Sequence, residues 1–223
     1  MITGKTKSDI GAEIDAQNEI LLQMIEDIAD HYQEEECIVR NEIDKVYEEA
    51  LNYDYETFSS MTQGYGDVLD NHHRLSAEAR KILFCSIFSF LESMLYRIIN
   101  IYKIKRHGER ELTKISNVIT REYEKKYDED IVFNEDSRNM IFSYYRPLRN
   151  FFMHGYLDDP LDRRNLLILP DIEHSIKRHD DLNFEITDNV FLFKVLNMVK
   201  DYLDSIEEAY NNITKELWIL NHK

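Results

Sequence analysis

Along most of this chain apolar residues return every three or four positions, the spacing of helices that bury one face. From about Asp9 to Leu51, Ile10, Ile14, Leu21, Ile25 and Ile28 keep that spacing, and Ile38, Ile43, Val46, Tyr47 and Ala50 continue it. The pattern predicts a long helix, with a break near Glu34-Glu35-Glu36 as the alternative. Residues 52–75 are mixed; Tyr53, Tyr55, Phe58, Met61, Tyr65, Val68 and Leu69 suggest a short helix interrupted by Gly64 and Gly66. Ser76 is a suitable N-cap for a central helix over about 77–103. That helix carries Ile82, Leu83, Ile87, Phe88, Phe90, Leu91, Leu95, Ile98 and Ile99 nearly all round its axis, so it is expected to be the most buried. A basic connection, Lys103 to Arg110, is expected to end at Gly108. The next helix, from Glu111 or Thr113 to Lys126, places Ile115, Val118, Ile119 and Tyr123 on one face.

A further helix starts near Asp136 and runs into Tyr144-Tyr145-Arg146-Pro147-Leu148-Arg149-Asn150-Phe151-Phe152-Met153-His154-Gly155-Tyr156. Pro147 is expected to bend or split it, because proline removes a backbone donor and crowds the preceding turn. Gly155 is its expected stop. Asp158-Asp159-Pro160 breaks the chain, and Leu166-Leu167-Ile168-Leu169 and Asn183-Phe184-Glu185-Ile186 read as strands of a small β-hairpin or extended pair. Thr187 or Asp188 then caps a last helix over about 189–217, with Trp218 anchoring its end. The pattern as a whole is all-α with a long N-terminal helical extension and one small hairpin. It divides into an acidic helical extension, 1–70, and a helical domain, 71–223.

Composition agrees: 6 Gly and 3 Pro in 223 residues are few for a turn-rich β protein, and 14 Tyr and 11 Phe supply core material. No run approaches 18 uncharged apolar residues, so neither a membrane span nor a signal peptide is expected. Cys37 and Cys85 lack paired spacing and read as structural thiols of a reducing cytoplasm.

Charge changes the picture more. The net charge of −16 is concentrated at the N-terminus, where residues 1–60 carry 16 acidic and 4 basic side chains. Residues 74–126 carry 12 basic and 6 acidic, a local excess of positive charge. A wholly acidic surface would oppose polyanion binding, whereas this distribution allows one basic face beside an acidic arm. The arm packs on its own domain, covers the basic groove, or meets a partner; packing is the commonest fate. Lys105, Arg106 and Arg110 are candidate phosphate contacts. His72 and His73 point about 100° apart on a helix, a poor metal pair, and read as surface residues. There is no Walker loop, no dinucleotide fingerprint, no HExxH and no calcium loop. Neither a metal nor a cofactor is expected.

The candidate chemistry lies in the Arg149–His154 run. Asn150 and His154 lie one turn apart on one face. Arg149 and His154 are five positions apart, so their directions diverge by about 140° and their α-carbons by roughly 7.5 Å along the axis. Two copies packed about a two-fold axis would pool two arginines and two histidines in one cleft, which predicts a homodimer.

Arg149-Asn150-x-x-x-His154-Gly155, late in a helix that follows a long apolar one, resembles the signature of the HEPN superfamily over roughly 76–215. That resemblance implies a HEPN-like antiparallel helical bundle and a metal-independent endoribonuclease of toxin–antitoxin or phage-defence type. The 2′-hydroxyl of RNA would attack the neighbouring phosphorus to give a 2′,3′-cyclic phosphate. Arg149 and His154 would be catalytic: a guanidinium grips phosphate through its fork, and an imidazole exchanges protons near neutrality. Asn150 and Arg146 would support substrate binding. By analogy with an acidic residue on the corresponding helix of many such domains, Glu92 would pair with Arg149 or Arg146; an ordinary half-exposed glutamate is the other reading. Arg149-x4-His154-x-Tyr156 also resembles HepT-type toxins, in which a partner nucleotidyltransferase antitoxin modifies the tyrosine with AMP. The alternative the resemblance leaves open is a non-catalytic module that binds a nucleotide or a protein partner.

Overall fold

The computed structural model describes residues 8–62, 64–105, 111–127, 133–180 and 183–221. The chain is 84% helical with one small two-stranded antiparallel sheet, as the apolar spacing predicts. Helix α1 (Ser8–Ala50) runs unbroken through Glu34–Glu36, and α2 is Tyr55–Thr62. Helix α3 (Tyr65–Tyr102) is the core element, and α4 is Leu112–Tyr127. Then come α5 (Glu135–Asn139), a π-helical turn (Met140–Tyr145) and α6 (Arg146–His154). Helix α7 (Pro160–Ile172), strands β1 (Ile176–Asp180) and β2 (Asn183–Ile186), and α8 (Val190–Asn221) complete the chain.

The three long helices, α1, α3 and α8, pack on one another and enclose the core. Leu83, Phe84, Ile87, Phe88, Leu91, Leu95 and Ile98 of α3 are buried against Leu192, Leu196, Val199 and Leu203 of α8. Ile10, Ile14, Leu21 and Ile25 of α1 belong to the same core, and the division expected at residue 70 falls inside α3. The acidic arm therefore packs on its own domain along its first half. Beyond it Ile38 is 58% exposed, while Ile43 and Ala50 are buried apart from the main core.

Several expectations need correction. Ser76 does not cap the central helix; it is buried within α3, which begins eleven residues earlier after Gly64, whose φ of 113° only glycine adopts easily. Gly66 lies inside that helix. Helix α3 stops at Lys103, itself left-handed with φ 54°, while Gly108 and the phosphate candidates Arg106 and Arg110 lie outside the described residues. His72 is not a surface residue: it is buried, with Nε2 3.1 Å from the Tyr32 carbonyl and Nδ1 3.8 Å from Glu35, tying α3 to α1. The Leu166–Leu169 run is helix, not strand. Asp159 caps it by accepting from the Leu161 amide at 2.8 Å, Pro160 fits the first turn, and Leu166 and Leu169, three apart, are the pair that reaches the core. The hairpin pairs 183–186 with 176–180 instead, Ile176 opposite Ile186 and Arg178 opposite Phe184. Asp188 caps α8, accepting from the Phe191 amide at 3.2 Å. The side chain of Trp218 lies outside the described ones.

An 18-residue window within Tyr55–Tyr102 is apolar enough to cross a membrane by length and composition. In the fold, 56% of it is buried, which accounts for the composition.

Candidate functional site

The helix that carries the site is continuous from Glu135 to His154 but changes register midway. Asn134 starts it by accepting from the Ser137 amide at 3.2 Å. Over Met140–Tyr145 the turns widen, and the Arg146 amide reaches back to the Ile141 carbonyl, five residues away. Pro147 explains the change: without an N–H it can donate neither to the Ser143 carbonyl four residues back nor to Phe142 five back. Side chains cover both oxygens, Arg146 Nε on Phe142 at 3.2 Å and Asn165 Nδ2 on Ser143 at 2.9 Å. Where a bend or a split is expected at Pro147, the helix runs on through a π-turn. Gly155 ends α6 as expected, at φ 74°, its amide on the Phe151 carbonyl at 2.8 Å.

One face of α6 is apolar and fixed. Leu148 is fully buried, Phe152 meets Phe84 of α3 edge-on at 5.9 Å, and Phe151 meets Phe184 of β2 at 5.6 Å. The other face carries Arg146, Arg149, Asn150 and His154 and lines two adjoining cavities. A pocket of about 200 Å³ is bounded by Phe88, Glu92, Glu111, Leu112, Arg146, Arg149 and Asn150. A wider one of about 600 Å³ takes in Glu111, Lys114, Asn117, Arg146, Asn150, His154 and the 156–159 segment. Arg149 lines only the first and His154 only the second, while Arg146, Asn150 and Glu111 border both. The angular divergence of positions five apart has this consequence. No α1 residue lines either cavity, so within one described chain the arm does not cover the groove.

Arg149 is half-buried and donates from Nη1 to Asn150 Oδ1 at 3.1 Å. It stands close enough to Cys85 to oppose the burial that pushes that thiol's pKa up. His154 is exposed, its ring 6.5 Å from that of Tyr156, which is 61% exposed. Arg146 is a brace: Nη2 meets Asp162 at 2.5 Å and Nη1 meets Glu111 at 3.3 Å, with both the Arg146 and Asp162 side chains largely buried. To bind phosphate, Arg146 would have to exchange one of these carboxylates. Burial raises the Asp162 pKa against the pull of Arg146. Glu92 stands half-buried in the smaller pocket with both arginines and forms no ion pair with either among the described residues, in keeping with the reading of it as an ordinary half-exposed glutamate.

Asp162, Glu111, Lys114 and Asn117 were not singled out by sequence, and with Asp158 and Asp159 they make the wider cavity more acidic than basic. Asp162 carried one signal, its place in the first turn of a helix capped by Asp159-Pro160. Among the described residues no group of three His, Cys, Asp or Glu side chains is placed to hold a metal ion. Compared with known proteins, the chain matches no protein-family model, no curated protein and no solved structure.

Proposed function

We propose that the chain is a HEPN-like, metal-independent endoribonuclease of toxin–antitoxin or phage-defence type, acting in the cytoplasm as a homodimer. One observation carries this reading: Arg149, Asn150 and His154 project from a helix whose opposite face is locked into the core, onto two cavities that share a border. Such a helix holds a phosphate-gripping fork and a proton-exchanging ring at fixed spacing with both reachable by substrate.

In the proposed reaction the ribose 2′-oxygen attacks phosphorus as His154 takes its proton. The bond from phosphorus to the 5′-oxygen breaks, and that oxygen gains a proton, leaving a 2′,3′-cyclic phosphate and a 5′-hydroxyl. Arg149 offsets the charge that grows on the phosphorane. A second copy would supply a second imidazole, so that one acts as base and one as acid. Exposed Met153 and Tyr156 beside His154 give such a dimer apolar surface to bury. Tyr156 is open enough to receive AMP from a nucleotidyltransferase antitoxin, and a phosphate there would compete for the same cavity.

The acidic lining, Glu111, Asp158, Asp159 and Asp162, favours the second reading, a module that binds a nucleotide or a protein without cleaving RNA. Incubating the protein with structured and unstructured RNA in EDTA separates the two. Cleavage leaving cyclic phosphate ends, reduced about 10²–10⁴-fold in His154→Ala, is the expected result. Intact RNA under every condition, or cleavage indifferent to His154 and Arg149, would overturn the nuclease reading.

A further inference from the structure

The smaller cavity holds an unused acceptor beside unused donors. Glu92, one turn beyond Phe88 on α3, presents a half-buried carboxylate with no ion-pair partner among the described residues. The second carboxylate of the pocket, Glu111, is already engaged by Lys114 at 2.7 Å and Arg146 at 3.3 Å. Asn150 has its Oδ1 occupied by Arg149 at 3.1 Å, which leaves the Nδ2 hydrogens to donate. Phe88 and Leu112 supply apolar wall. The volume of about 200 Å³ equals roughly seven waters, the scale of one flat bicyclic ring.

We infer that this pocket selects guanine, with Glu92 as the specificity-determining residue; the inference deepens the ribonuclease reading and rests on it for the identity of the substrate as RNA. A carboxylate accepts best from two adjacent N–H groups. Among the four RNA bases only guanine has them on its pairing edge, N1–H and the 2-amino group. Adenine and cytosine set one amino group beside an unprotonated ring nitrogen, whose lone pair repels a carboxylate, and uracil's single N–H lies between two carbonyls. Guanine O6, next to N1, then faces the Asn150 Nδ2 donors, while Phe88 and Leu112 cover the ring. Arg149 keeps its remaining N–H groups for the phosphate attached to that nucleoside. Reading an unstacked base on its pairing edge against an apolar wall is the usual means of sequence selection in single-stranded RNA. Glu92 does not touch the reacting atoms, so its effect falls on which nucleotide binds.

The test is equilibrium binding of guanosine, adenosine, cytidine and uridine 5′-monophosphates to the full chain. Guanosine monophosphate should bind at least about tenfold tighter than the others, the lower part of the range for one bidentate base contact. Glu92→Gln, which sets an amide N–H₂ against the base's own donors, should bring it level with them. Inosine 5′-monophosphate lacks the 2-amino group and probes the same contact with the protein unaltered; it should lose most of the preference. Equal binding of all four nucleotides, no binding of any, or a preference untouched by both changes overturns the inference. RNA cut without base preference by a protein that does not discriminate nucleotides removes this inference and leaves the nuclease. Guanine-selective binding by a protein that cuts no RNA removes the nuclease and leaves the pocket.

Discussion

Asn165 donates from Nδ2 to the Ser143 carbonyl at 2.9 Å, covering an oxygen that Pro147 leaves without its α-helical donor. The contact ties α7 to the π-turn just ahead of Arg149 and His154, so the register of the site helix depends on a residue from another helix. Asn165→Ala should cost about 1–2 kcal/mol, because a partly buried acceptor loses its partner. In a Pro147→Ala background residue 147 regains an N–H, and the same change should cost less by about 0.5 kcal/mol or more. Denaturant unfolding of the four proteins measures the coupling. Equal costs in the two backgrounds would show that Pro147 does not create the need for Asn165.

The Arg146–Asp162 pair, 2.5 Å apart and largely buried, should respond unevenly to losing each member. Arg146→Met strands the Asp162 carboxylate and uncovers the Phe142 carbonyl, at a cost of about 3 kcal/mol or more. Asp162→Asn keeps an oxygen for Arg146, which also retains Glu111, and should cost under about 1.5 kcal/mol. Comparable losses from the two substitutions would contradict this account of the brace.

That pair also predicts a pH dependence. Burial holds the folded-state pKa of Asp162 above its ordinary value of 3.8, outweighing Arg146. The folded protein thus binds this proton more tightly than the unfolded chain does. The resulting contribution to stability is present below the ordinary value and is lost as pH rises through the raised one. Asp162→Asn removes the titration, so the variant should gain on the wild type as pH rises upward from 3.8, until Asp162 is fully ionised. Stability curves of both proteins across that interval give the difference, and a gap that stays flat or moves the other way refutes the assignment.

How much could be read from the chain beforehand depended on period. Ile115, Val118, Ile119 and Tyr123 keep helical spacing, and all four are buried in α4. Leu166–Leu169 has no period, since four consecutive apolar residues fit a strand or a helix equally, and capping by Asp159 decided the outcome. Burial of His72 arises from the α1–α3 contact, forty residues apart, which spacing within one helix cannot report. At the site, helix geometry alone indicated that Arg149 and His154 would aim apart. The partners of Arg146, sixteen and thirty-five residues away, belong to tertiary packing. So does the finding that Glu92 stands in the pocket with both arginines yet pairs with neither.

The first half of α1 should behave as core although the sequence marks it as an extension. Ile14 is fully buried among α1, α3 and α8, and Ile14→Ala should cost about 2–4 kcal/mol. Ile38, on the same helix but 58% exposed, should tolerate alanine within about 0.5 kcal/mol. If both changes are silent by thermal and denaturant unfolding, α1 does not pack as described and a clean removal of the arm becomes feasible.

Two glycines should answer alanine with opposite signs. Gly155 sits at φ 74°, and an added Cβ would meet nothing within 4 Å, so the only penalty is that of an L-residue held left-handed. Gly155→Ala should therefore cost about 1–2 kcal/mol, and Asn, which tolerates that conformation better, should cost less. Gly66 lies inside α3 without a positive φ and with the same open space around it. There alanine narrows the unfolded ensemble without straining the folded one, and a gain of about 0.4–1 kcal/mol is expected. Because neither side chain would touch a neighbour, the pair isolates backbone conformation from packing. Loss of stability at Gly66, or none at Gly155, would mean that the register of α3 or the termination of α6 differs from the one described.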